Sequence, residues 1–135
     1  MWRLVLSLCF FPVVSCFKVV PLTFEQARMA VSLWNPASSS CDRYQTAAGN
    51  MGCIGLLHTG KISSLNAIIL LERLPDDRLV ISDVSSRDLQ SGTQLLQAVL
   101  FTAATEIQLG DVDDRWRIAF QYFNAVADGN RTASS

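Results

Sequence analysis

The sequence contains few charges and few residues that bind metals. Only 17% of its 135 residues are charged, and 11 basic against 12 acidic groups leave a net charge of −1. Proteins that hold nucleic acid through phosphate contacts usually carry a basic face, so this balance argues against a nucleic-acid partner. One histidine and four scattered cysteines favour neither a zinc site nor a disulfide scaffold. We expect no bound metal, and we expect Cys41 and Cys53 to be free thiols. A disulfide between them is the alternative, and it would require an oxidising compartment.

The composition is that of one folded domain. Half of the residues are hydrophobic, which excludes an intrinsically disordered chain. The length suits a single domain with a small core. No internal repeat or interdomain linker divides the sequence.

The first sixteen residues resemble a targeting segment. Arg3 precedes an apolar stretch from Leu4 to Val14, which is the outline of a signal peptide. The letters VVSC that end at Cys16 also fit the cleavage box of a bacterial lipoprotein. The stretch is shorter than the ~20 apolar residues that a membrane-spanning helix needs.

We therefore divide the chain into an N-terminal leader or extension (1–16), a domain (17–127) and a polar tail (128–135). The expected location is the cytoplasm. Export, or a lipid anchor on Cys16, is the alternative, and contact with a membrane is expected only if the leader is retained or lipidated.

The hydrophobic pattern predicts a strand, a helix, three strands, a helix, a short strand and a last helix. The predicted strands are 17–22, 52–57, 63–71, 79–84 and 107–109. The predicted helices begin at capping boxes formed by Thr23 with Gln26 and by Ser91 with Gln94, and behind the acidic run 111–114, and the last helix ends at Asp128. The stretch 37–50 is predicted to be mostly loop or a poorly defined helix. This order indicates an α+β fold with a mixed, mostly antiparallel sheet flanked by helices.

One strand leads through a polar loop straight into a helix. Free N–H groups and the helix dipole at such a start attract anions. Gly92, at the first predicted helical position, would let a ligand approach the backbone, and Arg87 in the loop would neutralise a phosphate. The sequence therefore predicts a phosphate site here. The alternative is a capped helix start facing solvent, with an ordinary surface arginine.

Other chemistry is sparse. A nucleophilic triad would have to use His58, which falls in the predicted hairpin turn 58–61 and is more simply explained as solvated. Tyr122 is the one candidate for a catalytic proton donor, and packing in the core or on the surface is the alternative for it.

The order of elements and this loop resemble the GNAT acyl-CoA N-acyltransferase fold. That fold carries Arg/Gln-x-x-Gly-x-Gly/Ala before its coenzyme-binding helix, and residues 87–92 read Arg-Asp-Leu-Gln-Ser-Gly. Gln90 replaces the first glycine. Within this fold, three stretches are similar to the PanZ/PanM family, the maturation and regulatory factors of L-aspartate decarboxylase. They are 22–36, 83–100 and 110–120.

The resemblance implies a protein that binds coenzyme A or acetyl-CoA and associates with the L-aspartate decarboxylase precursor. It would promote self-cleavage of the precursor to the pyruvoyl form and so regulate pantothenate synthesis. The expected coenzyme contacts are Val80, Ile81 and Ser82 along the pantetheine arm, and Arg87, Asp88, Leu89, Gln90, Ser91, Gly92, Thr93 and Gln94 around the pyrophosphate. The expected partner contacts are His58, Thr59, Gly60 and Lys61.

Two other functions stay open at this point. The first is an active N-acetyltransferase acting on an amine, with Tyr122 as its acid. The second is an exported small lipoprotein with an interaction role. Whether the chain is an enzyme is therefore undecided from its sequence.

Overall fold

A computed structural model describes residues 6–8, 17–35, 44, 49–103 and 106–134. The strands are β1 (Leu6–Leu8), β2 (Phe17–Leu22), β3 (Met51–Leu57), β4 (Leu65–Arg73), β5 (Leu79–Ser86) and β6 (Ile107–Leu109). The helices are α1 (Phe24–Trp34), α2 (Leu89–Thr102) and α3 (Asp114–Ser134), and a short 3₁₀ helix covers Ile62–Ser64.

The strands form one sheet in the order β1-β2-β3-β4-β5-β6. Neighbouring strands are antiparallel from β1 to β5, whereas β6 runs parallel to β5. A parallel neighbour requires a crossover, and α2 provides it. The predicted α+β class with a mixed, mostly antiparallel sheet is confirmed.

Local signals located most elements correctly. Thr23 and Gln26 form both bonds of the predicted capping box at the start of α1, and the helix ends where Asn35 donates to the Val31 carbonyl. Several boundaries differ from the prediction, among them the ends of β4 and β5, which extend to Arg73 and Ser86. Residues Ile62–Ser64 form a 3₁₀ helix before β4, and α3 continues through the predicted tail to Ser134.

Two segments differ from what the sequence predicted or are only partly described. Leu6–Leu8, from the predicted leader, pairs antiparallel with β2 in the sheet. Most of the predicted loop 37–50, with Cys41, lies outside the described residues, as do Cys9 and Cys16, but Tyr44 is helical and buried. Cys53 is a buried free thiol, as expected.

Helices cover both faces of the sheet. The α2–α3 face carries the larger apolar core, which includes Ile69 and Ile81 from the strands and Leu96, Trp116 and Phe120 from the helices. The α1 face carries a second cluster. Its buried members are Ala27, Val31, Tyr44, Cys53, Leu57, Leu65, Ile68 and Leu70.

An extra residue interrupts the alternation of β5. Leu70 of β4 lies opposite Asp83, and the next residue, Leu71, lies opposite Ile81. Ser82 is therefore the additional residue of a β-bulge, which reverses the side-chain alternation beyond it. Ile81 and Val84 both belong to the α2–α3 face, whereas Asp83 meets Tyr44 on the α1 face.

Candidate functional site

The candidate site lies where the two parallel strands separate. β6 pairs with β5 over Leu79–Ile81, and Gly110 then donates its N–H to the Ile81 carbonyl at 2.8 Å. β5 continues to Ser86, still paired with β4, while the chain after β6 turns away into α3. Of the three residues predicted to contact pantetheine, Val80 and Ile81 lie in the paired stretch and Ser82 is the first beyond it.

Gly110 lets the chain after β6 lie close to β5 at the separation point, the place after Ile81 where the pairing of the two strands ends. A Cβ atom at this position would lie 2.8 Å from the Ile81 carbonyl oxygen and 3.4 Å from a methyl group of Val80. The first distance is shorter than side chains tolerate, so a larger residue would push β5 and the following loop apart. The Ser82 Cα atom would also lie 3.6 Å from this Cβ, so the chain after β6 stays close to β5 as far as Ser82.

The structure corrects the predicted start of α2. Its N-cap is Asp88, and the helix begins at Leu89, so the predicted capping box of Ser91 with Gln94 is wrong. One carboxylate oxygen of Asp88 accepts the Ser91 N–H at 2.7 Å, and the other accepts the Ser91 hydroxyl at 3.1 Å. The Ser86 hydroxyl donates to the Asp88 carbonyl at 2.6 Å. An aspartate is a favoured N-cap because it satisfies an otherwise unpaired helical N–H.

Gly92 has a packing role that the sequence did not show. It is buried in α2, and a Cβ atom there would overlap the Trp116 indole and lie 2.9 Å from the Ser86 hydroxyl oxygen. Gly92 is the fourth residue of the helix rather than the first. The absence of a side chain is explained by the close approach of α3, and no ligand is needed to account for it.

The other predicted coenzyme residues surround the same helix start. Arg87 is exposed, and its backbone N–H donates to the Asn66 carbonyl at 2.8 Å. Leu89 is 56% exposed, and Gln90 is also exposed. The Thr93 hydroxyl donates to the Leu89 carbonyl at 2.8 Å. Gln94 is partly buried, and its side-chain oxygen is enclosed without a hydrogen-bond partner in the described part of the chain.

These residues fit the two ends of coenzyme A unequally. The stretch after Ile81, where β6 no longer pairs with β5, is where a narrow, uncharged chain such as pantetheine would have to lie. A pyrophosphate would gain from Arg87 and from the helix dipole. It would also meet the Asp88 carboxylate, which already holds the Ser91 N–H.

The predicted partner turn lies at the same end of the sheet as the start of α2. Gly60 adopts a positive φ of 81°, which glycine tolerates well. The Ser64 hydroxyl accepts the Thr59 N–H at 3.0 Å and donates to the Lys61 carbonyl at 2.6 Å. Thr59, Gly60 and Lys61 are exposed, and His58 is partly buried. The turn is thus stabilised by its own hydrogen bonds, and its tip is exposed to solvent.

Tyr122 lies on the solvent side of α3. It is 67% exposed, and its ring packs edge-on against Phe123 at a centroid distance of 5.5 Å. This is the surface position that the alternative interpretation of Tyr122 anticipated. Its proposed role as a proton donor stays a prediction.

The sequence analysis missed a buried polar cluster beside the bulge. One carboxylate oxygen of Asp83 accepts the Tyr44 hydroxyl at 3.2 Å and the Ser85 hydroxyl at 3.0 Å. Asp83 is 7% exposed and Tyr44 is 2% exposed. An aspartate inside an apolar strand, as in Val-Ile-Ser-Asp-Val, is the signal that would have identified it, because charged groups are rarely buried without partners.

Burial and charge change the ionisation of this cluster. Burial, followed by the charge of Asp83, raises the pKa of the Tyr44 hydroxyl well above its ordinary value. The same two causes, in the same order, raise the pKa of the Cys53 thiol to about 12. Both groups therefore stay protonated near neutral pH, and Cys53 has none of the thiolate character that makes a cysteine reactive.

These observations define a mixed α+β domain in which the pairing of the parallel strands β5 and β6 ends after Ile81. No known protein family, curated protein or solved structure matches the chain. None of the helices that the structure describes is long and apolar enough to cross a membrane. The described residues also contain no group of three or more His, Cys, Asp or Glu side chains placed to hold a metal.

Proposed function

We propose that this chain is a GNAT-like protein that binds coenzyme A or an acyl-CoA in the cleft between β5 and β6. The observation that carries the proposal is the separation of these parallel strands after Ile81, with α2 beginning at the carboxyl end of β5. Ligands of open sheets commonly occupy the crevice at the carboxyl ends of parallel strands, beside a helix N-terminus. The arrangement agrees with the resemblance found in residues 83–100.

In this proposal each part of the chain has a distinct task. The β5 stretch from Ser82 to Ser86 lies along the pantetheine arm. Arg87, exposed beside the helix start, faces the charged end of the coenzyme. Gly110 maintains the separation point. When acylated, the coenzyme would supply a thioester, and the chain itself orients and shields that group.

The proposal includes association with the L-aspartate decarboxylase precursor. The exposed tip Thr59–Lys61 is the surface offered to this partner, because it lies at the cleft end of the sheet and is braced by Ser64. The chain would bind a reactive conformer of the precursor more tightly than its resting form. Such differential binding accelerates self-cleavage without a catalytic group from the binder.

Calorimetry with acetyl-CoA tests the cleft. Ser82→Phe should weaken binding by about tenfold or more, because a large ring would fill the separated stretch. Ser32→Phe is the matched control. It makes the same exchange at an exposed position on α1, on the other face of the sheet, and should leave binding unchanged. No binding by the folded wild-type chain, or equal losses in both variants, would contradict the proposal.

The rate of precursor self-cleavage tests the partner. The chain with acetyl-CoA should raise this rate, and Lys61→Glu should reduce the increase. Arg78→Glu reverses a charge at the other end of the sheet, in an exposed turn where Arg78 pairs with Asp76, and should have no effect. A precursor that cleaves at the same rate with and without the chain would exclude this partner.

Acyl transfer to an amine is the second candidate function. The buried Asp83 carboxylate, next to the bulge residue Ser82, favours it because the reaction requires an acceptor for the amine proton. Release of free coenzyme A in the presence of amines should then fall in Asp83→Asn, and a fall in Tyr122→Phe as well would assign the proton donor to Tyr122. No release above the uncatalysed rate with any amine tested would leave coenzyme binding as the sole role of the cleft.

A further inference from the structure

We infer that Asp88 opposes the pyrophosphate of coenzyme A, so that its charge weakens the binding of acyl-CoA and leaves the binding of pantetheine-type thioesters unaffected. This inference rests on the proposed function, because it concerns the ligand class of the same cleft. It makes Asp88 a residue that determines specificity. It does not make it a catalytic residue.

Both carboxylate oxygens of Asp88 are engaged at the helix start. They accept the Ser91 N–H at 2.7 Å and the Ser91 hydroxyl at 3.1 Å, and Ser91 itself is 2% exposed. A phosphate oxygen that used the Ser91 N–H would have to displace this carboxylate and remain close to it. Asp88 is exposed, so solvent reduces the repulsion, but like charges in direct contact still repel.

The backbone around Asp88 is held in place from two sides. The Ser86 hydroxyl donates to the Asp88 carbonyl, and the Trp116 indole packs against Gly92 one turn into the helix. The helix start therefore does not yield readily to admit a bulky anionic group. A ligand that ends before the pyrophosphate avoids this region.

The loop also lacks the net positive charge that would attract a pyrophosphate. Residues 87–94 contain one cation, Arg87, and one anion, Asp88, for a net charge of zero. The stretch 82–86, along which pantetheine is proposed to lie, contains three serines, a valine and the inward-facing Asp83. This difference favours a neutral arm over an anionic end group.

The experiment compares acetyl-CoA with acetyl-pantetheine, which carries the same thioester without the nucleotide and its phosphates. Dissociation constants are measured by calorimetry on the full-length wild-type chain and on Asp88→Asn. Asparagine caps helices about as well as aspartate, so the variant removes the charge and keeps the helix start. Asp77→Asn, which removes one negative charge from a turn at the other end of the sheet, is the control.

We expect Asp88→Asn to bind acetyl-CoA about tenfold or more tightly than wild type does, which corresponds to removal of one nearby like charge. The dissociation constants of acetyl-pantetheine for wild type and Asp88→Asn should agree within about twofold. Asp77→Asn should match wild type for both ligands. Circular dichroism and urea unfolding establish that the Asp88→Asn helix start is intact.

The outcomes separate the two claims. If wild type binds acetyl-CoA and Asp88→Asn binds it no more tightly, the inference is overturned and the proposed function stands. The same holds if Asp88→Asn tightens both ligands equally. If neither folded protein binds either ligand, the proposed function fails and the inference fails with it.

Discussion

The two faces of the sheet are stabilised in different ways. On the α2–α3 face, two helices pack long apolar side chains such as Leu96 and Phe120 against the strands. On the α1 face, α1 buries Ala27 and Val31, and the Asp83 carboxylate lies buried with its hydrogen bonds to Tyr44 and Ser85. The first face therefore depends on filled volume, and the second depends in part on satisfied polar groups.

This difference determines which substitutions each face tolerates. Apolar packing has no directional requirement, so a core of this kind loses stability in proportion to the volume removed. A buried carboxylate is stabilised by particular donors, and loss of one donor leaves its desolvation uncompensated. Matched substitutions on the two faces measure how much stability each face loses.

The largest expected effect comes from the tryptophan on the apolar face. Trp116 is 3% exposed, and Trp116→Ala should lower the free energy of unfolding by about 3–5 kcal/mol. Trp34 lies at the margin of the α1 face and is partly exposed, so Trp34→Ala should cost about 1–2 kcal/mol. Urea unfolding at pH 7 measures both, and equal losses would remove the distinction between the faces.

The next effect compares two helical glycines. Gly92→Ala should destabilise by about 1–3 kcal/mol, because the new methyl group meets the Trp116 ring. Gly129 in α3 has open space around its Cβ position, so Gly129→Ala should stabilise by about 0.5–1 kcal/mol through helix propensity. Thermal unfolding shows whether each variant is more or less stable than wild type. A stabilising Gly92→Ala would show that α2 and α3 are less closely packed than described.

The starts of α1 and α2 show where prediction from the sequence succeeds and where it fails. Signals within one turn, such as Thr23 with Gln26, located the start of α1 because both partners lie three residues apart. The sequence analysis chose Ser91 as the cap of α2, whereas the structure uses Asp88. Aspartate and serine are both favoured N-caps, so local preference alone could not decide between them. The role of Gly92 depends on its long-range contact with α3, which no local pattern contains.

A smaller effect is expected from the two tyrosines. Tyr44→Phe removes one donor from the buried Asp83 carboxylate and should cost about 1–2 kcal/mol. Tyr122→Phe removes a hydroxyl from an exposed ring and should change stability by less than about 0.5 kcal/mol. Urea unfolding of both variants, together with Ser85→Ala and the double variant, would show whether Tyr44 and Ser85 act together on Asp83. A neutral Tyr44→Phe would mean that Asp83 does not depend on this bond.

The Asp83 cluster was missed for a related reason. Its residues come from two strands and a distant segment, and its orientation depends on the bulge at Ser82. Strict alternation would have placed Asp83 on the same face as Ile81. The strand and its neighbours were predicted from the sequence, but no local pattern indicates that Ser82 is an extra residue in the pairing of β5 with β4.

The last expected effect appears only at alkaline pH and makes no contribution to comparisons at pH 7. The pKa of the Cys53 thiol rises from 9.0 to about 12 on folding, so between these values the unfolded chain binds fewer protons than the folded one. Stability should therefore fall as pH increases from about 9 to 12. Cys53→Ala should reduce this slope in urea unfolding measured across that range. An unchanged slope would assign the alkaline loss to other groups, including Tyr44.

The bulge at Ser82 also makes the place of a deletion in β5 matter. In a regular strand, removal of one residue exchanges the two sides of everything that follows. Deletion of Ser82 is the exception, because it removes the bulge and leaves Ile81, Asp83 and Val84 on the faces that they already occupy. Deletion of Val84 would instead turn Ser85 toward the apolar core and should be more damaging, whereas the exposed tip at Thr59–Lys61 should accept a change of length at little cost.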